Sequence, residues 1–205
     1  MLNPQQNEQW LNDRRGNVGA SRISDIMAKT KSGYSASRAN YMAALIVERV
    51  TGASQETYTN AAMQWGTDNE PKARDMYQFL TDNAVELTGF VPHPRIKGAG
   101  ASPDGLVNDD GLVEIKAPNT STHLDTLLGA SIDTKYIYQM QFQMACTGRR
   151  WCDFVSFDPR LPVELQIKIQ RVERDDELIA TIEGEVEKFL AEMEEKLEQL
   201  NKLRG

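Results

Sequence analysis

Ser102-Pro103-Asp104-Gly105-Leu106-Val107, followed by Asn108-Asp109-Asp110-Gly111 and then Leu112-Val113-Glu114-Ile115-Lys116, is the stretch on which the fold turns. Two short apolar runs on either side of a polar turn form the pattern of a β-hairpin. Side chains alternate faces along a strand, so Glu114 and Lys116 lie on one side, about 7 Å apart. Val113 and Ile115 then point the other way, into a core. The turn decides whether Asp104 joins them. A two-residue loop at Asp109-Asp110 sets Asp104 opposite Ile115, on the wrong face. A three-residue loop, with Gly111 in the left-handed conformation, shifts the pairing by one and brings Asp104, Glu114 and Lys116 together. Glycine is the residue type that such a bulged turn requires, and the bulged turn is the expectation.

Two carboxylates beside a strand-borne lysine suit a divalent-metal hydrolase. Asp104, Glu114 and the backbone carbonyl of Ile115 are hard oxygen donors, appropriate to Mg²⁺ or Mn²⁺. A second ion about 3.5–4 Å away would complete a two-metal phosphodiesterase centre. Lys116 would orient or deprotonate the attacking water, or stabilise charge on the attacked phosphate.

Outward from the hairpin, residues 84–116 read as a small meander of strands. Residues 60–82 are helical in pattern but contain Gly66 and Pro71, so the helix kinks or a new one starts at Pro71. Glu70 shares a face there with Gly66, Ala73 and Tyr77. It is either a semi-buried acid or a surface glutamate. Upstream, residues 5–15 read as a short helix with Trp10 and Leu11, stopped at Gly16. Ser21 caps a helix to about Lys29, with Ile23, Ile26 and Met27 on one face. Residues 31–34 read as a loop, and Ser37 opens a helix that Gly52 ends. Downstream, Ser121 or Thr122 begins a helix to about Ser131. Residues 134–148 form another, with Ile137, Met140, Met144 and Ala145 inward; Gln139 and Gln141 are surface residues or hydrogen-bonding groups aimed at a ligand. Strands follow at 151–158 and 162–172. Leu178, Ile182, Val186, Phe189, Met193, Leu197 and Leu200 mark a final helix to about Leu203, roughly 40 Å long at about 1.5 Å per residue. Its far end packs on another subunit or projects.

The 205 residues suit one domain with a real core. A net charge of -7 argues against a general nucleic-acid coat but not against one local basic surface. A mean hydropathy of -0.52 and the lack of a long apolar run exclude a membrane helix, and no signal peptide pattern opens the chain. Cys146 and Cys152 fit neither a disulfide framework nor a common zinc spacing, so they read as reduced cytoplasmic thiols. His93 and His123 leave little room for histidine chemistry.

Pro103-Asp104 with Glu114-Ile115-Lys116 resembles the PD-(D/E)xK nuclease signature. The flanks narrow it. Trp65-Gly66 through Glu70 to Ala73-Arg74 resembles the W-G-x-x-x-E-x-x-A-R helix of the phage lambda exonuclease and YqaJ-type viral recombinase family, and Ser102 to Leu106 its S-P-D-G-L. Arg14 to Ser21 resembles its R-x-G-x-x-A-S motif with one residue shifted around Gly16. Tyr138-Gln139-Met140-Gln141 resembles its Q-x-Q helix and Phe157-Asp158-Pro159-Arg160 its Y-D-P-R turn. The motifs occur in the family's order from about residue 10 to the last helix.

This resemblance implies an α/β (α+β) fold with a restriction-endonuclease-like core, a central mixed β-sheet flanked by helices and a long C-terminal helix, residues 1–205 forming a single exonuclease domain. It implies a metal-dependent alkaline exonuclease that digests duplex DNA 5′→3′, releases 5′-mononucleotides and leaves 3′ overhangs for single-strand-annealing recombination in a phage or prophage system. Asp104, Glu114 and the Ile115 carbonyl would bind Mg²⁺ or Mn²⁺, two ions per site, and Lys116 would serve the water, with Glu70 and Gln141 assisting. Arg14, Ser21 and Ser102 would hold the 5′-phosphate; Arg14 and Arg15 both compete for that role. Lys31 is a DNA contact or a solvated lysine. A ring-shaped homotrimer, a single-strand annealing partner and the cytoplasm of a bacterial host complete the expectation. An endonuclease or nickase using the same metal site is the alternative enzyme, and a non-catalytic DNA-binding scaffold the alternative of another class.

Overall fold

The structure, a computed structural model, describes residues 4–54 and 60–204. Seven helices are described: α1 (Glu8–Arg14), α2 (Ile23–Met27), α3 (Ala36–Thr51), α4 (Ala61–Thr81), α5 (Thr120–Leu127), α6 (Thr134–Thr147) and α7 (Asp176–Lys202). The strands are β1 (Val18–Gly19), β2 (Lys29–Thr30), β3 (Gly33–Tyr34), β4 (Val85–Glu86), β5 (Val91–Pro92), β6 (Ala99–Ala101), β7 (Gly105–Val107), β8 (Gly111–Lys116), β9 (Trp151–Phe157) and β10 (Ile167–Glu173). The architecture is mixed α/β with a central mixed sheet, in the order β10-β9-β8-β7-β4, flanked by helices. Within this sheet only β8 and β9, of the described strands, run parallel, and α5 and α6 make the crossover between them, as a parallel pair requires. A second small sheet joins β1, β6 and β5.

Strand alternation divides the core. Val107, Val113, Ile115, Val155 and Phe157 pack on Ala73 and Tyr77 of α4. The opposite face, Leu112, Cys152 and Phe154, meets Met140 and Met144 of α6. Phe142 and Cys146 of α6 face a third cluster built by α2, α3 and α7. Because α6 lies between the sheet and this helical layer, Gln139 to Cys146 are all buried, more completely than a one-faced amphipathic helix would be.

The turn has the expected three residues but not the expected register: Gly111 belongs to the strand rather than to the loop, and Asp104 still comes to the side of Glu114 and Lys116. Val107 pairs with Gly111 and Gly105 with Val113, which leaves a three-residue turn at 108–110. The left-handed residue is Asn108, at φ 47°, not Gly111; asparagine tolerates that region better than most residues. Gly111 lies in the strand, where a Cβ would fall 2.1 Å from Trp151 Cζ2. It is glycine so that the indole can lie against the backbone. Arg149 fastens the turn by donating one Nη1 to the carbonyls of Val107, Asn108 and Gly111, at 3.1, 2.8 and 2.7 Å.

Other boundaries moved for local reasons. Pro71 neither breaks nor restarts α4. Thr67, whose carbonyl loses its i+4 donor, is exposed, as is Pro71, so the proline falls on the outer side of the helix. Ser21 caps no helix: a 3-10 turn spans Ala20–Arg22 and α2 starts after it. Ser35 rather than Ser37 precedes α3, and Asn119 caps α5, which starts at Thr120. Lys31 sits at the tip of the β2–β3 hairpin where a plain loop was expected. Leu200, the last of the apolar steps that mark α7, is 39% exposed.

Candidate active site

β7 ends its ladder with β8 at Gly105–Val113, and the chain before it diverges. At that point Asp104 Oδ2 accepts the Ile115 backbone N–H at 2.7 Å. The side chain thus takes a bond that a strand neighbour would otherwise take, and Asp104 stays beside Glu114. N–H and C=O of one strand residue face the same edge, so the Ile115 carbonyl is directed to this side as well. Glu114 is buried at 1% exposure. Its Oε1 accepts from Lys116 Nζ, and also from Gln139 Nε2 at 2.7 Å. Its Oε2 accepts from Gln143 Nε2 at 2.7 Å.

Asp104, Glu114, Lys116, Gln139 and Gln143 line one cleft of 220 Å³ together with Gln5, Trp10, Arg14, Gly19, Ala20, Ser21, Phe90 and Ser102. α1 delivers Arg14, whose guanidinium stacks 4.2 Å over the Trp10 ring. Among the described residues the Arg14 guanidinium donates no hydrogen bond and makes no ion pair. Arg15 points elsewhere, bonding Asn12 Oδ1 at 2.7 Å and Ser54 Oγ at 3.3 Å. Arg14 is therefore the arginine of the cleft. The segment from β1 into the following turn places Ser21, and the end of β6 places Ser102.

Glu70 lies outside the lining, paired with Arg74 one helical turn away. It is still near enough for the charges of Glu114 and Lys116 to act on it. Burial raises its pKa, with Arg74 opposing and Glu114 adding to the rise. Asp104 is pushed well above the usual carboxylate range, first by its enclosure and then by the charge of Glu114, with Lys116 pulling the other way. Burial works to lower Lys116, but Glu114 and Asp104 outweigh it and hold the ammonium form. Enclosure lowers Arg14, against the pull of Tyr41 and Glu48.

Two expected site residues are not in the cluster. Gln141 turns to the opposite side of α6, where Nε2 donates to Glu173 O at 2.8 Å and Oε1 accepts from Asp175 N at 2.9 Å. Residues two apart on a helix point about 200° apart, so a Q-x-Q pair cannot serve one site. Its real partner for Gln139 is Gln143, at i+4, which the sequence reading missed and the helical spacing could have found. Lys31 is exposed on its hairpin, away from the cleft.

The donor set fits a divalent cation. Among the described residues no three Asp, Glu, His or Cys side chains converge, but two acids and a carbonyl do. A carboxylate has about four acceptor sites. Glu114 has three in use, leaving one on Oε2, and Asp104 has one in use. Asp104, pushed up by enclosure and by the charge of Glu114, is short of positive charge, and hard oxygens suit Mg²⁺ or Mn²⁺.

A family model described as the YqaJ-like viral recombinase domain matches residues 9–150. An alkaline exonuclease, LHK-Exo, from Laribacter hongkongensis has a similar structure with a TM-score of 0.91 and 52% identity, over 97% of this chain and 98% of that one. The same enzyme in complex with dAMP matches equally well. A phage-related exonuclease from Haemophilus somnus 129PT shares the fold, with a TM-score of 0.67 at 16% identity over 92% of this chain and 96% of that one. No curated protein sequence matches the chain.

Proposed function

The chain belongs to the YqaJ-like viral recombinase family and is a DNA exonuclease, and from that premise we propose a metal-dependent enzyme that digests duplex DNA 5′→3′ into 5′-mononucleotides. One observation carries the proposal: Arg14, Ser21 and Ser102 share a single cleft with Asp104, Glu114 and Lys116. The first three are donors of the kind that bind a terminal phosphate through charge-assisted hydrogen bonds; the second three are the cleavage set. The complex of LHK-Exo with dAMP, a mononucleotide, supports the product assignment.

In the proposed reaction Arg14, Ser21 and Ser102 hold the 5′-phosphate and so fix which phosphodiester lies beside Glu114. Asp104, Glu114 and the Ile115 carbonyl would hold Mg²⁺ or Mn²⁺, with space for two ions part of the proposal. The metal, when bound, supplies positive charge against the attacked phosphate and lowers the pKa of the attacking water. Lys116, as an ammonium, orients that water or neutralises a non-bridging oxygen. Gln139 and Gln143 hold the Glu114 carboxylate in one rotamer. Water adds to phosphorus, the P–O3′ bond breaks, and the 3′ oxygen leaves with a proton. The remaining strand then carries a new 5′-phosphate, which is the group that Arg14 would bind in the next round.

The proposal takes the 205 residues as one exonuclease domain, working as a ring-shaped trimer that supplies 3′ overhangs to a single-strand annealing protein. The test is digestion of linear duplex against covalently closed circles in Mg²⁺ and in chelator. Digestion of linear DNA alone, lost in chelator and in folded Asp104→Ala and Lys116→Ala, supports it. Equal cutting of circles would make the enzyme an endonuclease, and DNA binding without any product a scaffold.

A further inference from the structure

We infer that Trp10 is a positioning residue that sets the 5′-phosphate preference, orienting Arg14 with its ring and Ser102 with its indole N–H. The inference rests on the proposed 5′-phosphate pocket and adds how that pocket is organised. α1 buries none of its residues, so Trp10 is not a core tryptophan. Among the described residues, its side-chain hydrogen bond and its cation–ring contact both go to groups of the cleft. The Arg14 guanidinium lies over the ring, 4.2 Å from the centroid, and Nε1 donates to Ser102 Oγ at 2.9 Å.

Each contact does something to an anion site. A guanidinium is planar with five N–H donors, and a contact made through the ring holds it without a carboxylate or carbonyl acceptor. With no protein acceptor among the described residues, those donors remain for a ligand. A serine hydroxyl has one donor and two acceptor positions. Because the indole N–H fills an acceptor position, the hydroxyl hydrogen is left to donate. A phosphate dianion offers only acceptors, so Trp10 gives Ser102 the polarity that a phosphate needs. The same contact ties α1 to the segment that leads into Asp104, so end recognition and the cleavage set are held by one side chain.

The experiment measures kcat/KM on linear duplexes that differ only in a 5′-phosphate or a 5′-hydroxyl, for wild type, Trp10→Phe, Trp10→Leu, Ser102→Ala and Trp10→Phe/Ser102→Ala. Trp10→Phe keeps a ring and loses the donor, and the phosphate-to-hydroxyl ratio should fall about 3- to 10-fold. Trp10→Leu also loses the stack and should lower the ratio by a further factor of about 3. The double variant should match Ser102→Ala alone, because both changes remove one interaction. Parallel loss on both substrates, or additive effects in the double variant, would show a merely structural tryptophan and overturn the inference. If Trp10→Leu does not fold, the Trp10→Phe cycle decides alone. A wild-type enzyme indifferent to the 5′-phosphate would instead overturn the pocket itself, and this inference with it.

Discussion

Glu114 accepts from Lys116, Gln139 and Gln143 at once, and that arrangement makes different predictions for neighbouring glutamines. Gln143→Ala and Gln139→Ala each remove one bond to the carboxylate, and kcat should fall about tenfold or more with the melting temperature little changed. Gln141→Ala should do the reverse, lowering the melting temperature while kcat holds, because its amide joins the end of β10 to the start of α7. Thermal melting and steady-state kinetics of the three variants check this. Mg²⁺ should raise the melting temperature of wild type, by about 2–4 °C per kcal/mol of binding linkage. Asp104→Asn, which keeps an acceptor for Ile115 N–H but loses the charge, should abolish that rise. At this scale Asp104, Glu114 and Lys116 were readable from strand alternation and turn length. Gln143 was not, because a family motif was taken as a unit where helical geometry separates its two glutamines.

The hairpin that carries part of the site and the turn after β9 each hang on one arginine. Arg149→Ala would leave up to three turn carbonyls without their protein donor, at a cost of about 1–3 kcal/mol. It should lower both the melting temperature and kcat, since the same turn sets the register that places Asp104; a loss of stability with full activity would contradict that link. Asp158 is fully buried and accepts from Arg160 and from Thr120 at the start of α5. Mainly through Arg160, with burial opposing and Thr120 assisting, its pKa is lowered to about 2. A carboxyl lowered on folding contributes stability that is complete above about pH 4 and lost as the pH falls toward about 2. Asp158→Asn should therefore melt below wild type at neutral pH, with the gap closing across that window in a pH series. The elements themselves were largely legible, because Gly52, the nearly all-apolar run of 151–158 and the three- and four-residue steps of α7 are local signals. Pro71 misled because its cost depends on which side of the helix it falls on. The role of Gly111 was hidden because Trp151, forty residues away, imposes it.

Across the whole molecule, sequence patterns gave the layers but not what lies beside them. The burial of α6 on every side and the meeting of α1 with the hairpin depend on long-range packing that no local period encodes. No described helix is long and apolar enough to cross a membrane. The proposed trimer predicts sedimentation at three times the 23.0 kDa chain mass; a monomer at assay concentration would remove the ring from the account. The central claim is that one cleft both reads the strand end and cuts the adjoining phosphodiester. It is tested most directly by a single-turnover assay on linear duplex labelled at its 5′-phosphate, with Mg²⁺. The account predicts that the first labelled product is a mononucleotide, formed by wild type and not by folded Lys116→Ala. Label appearing first in oligonucleotides, or nucleotides lost from the 3′ end before the 5′ end, would contradict it.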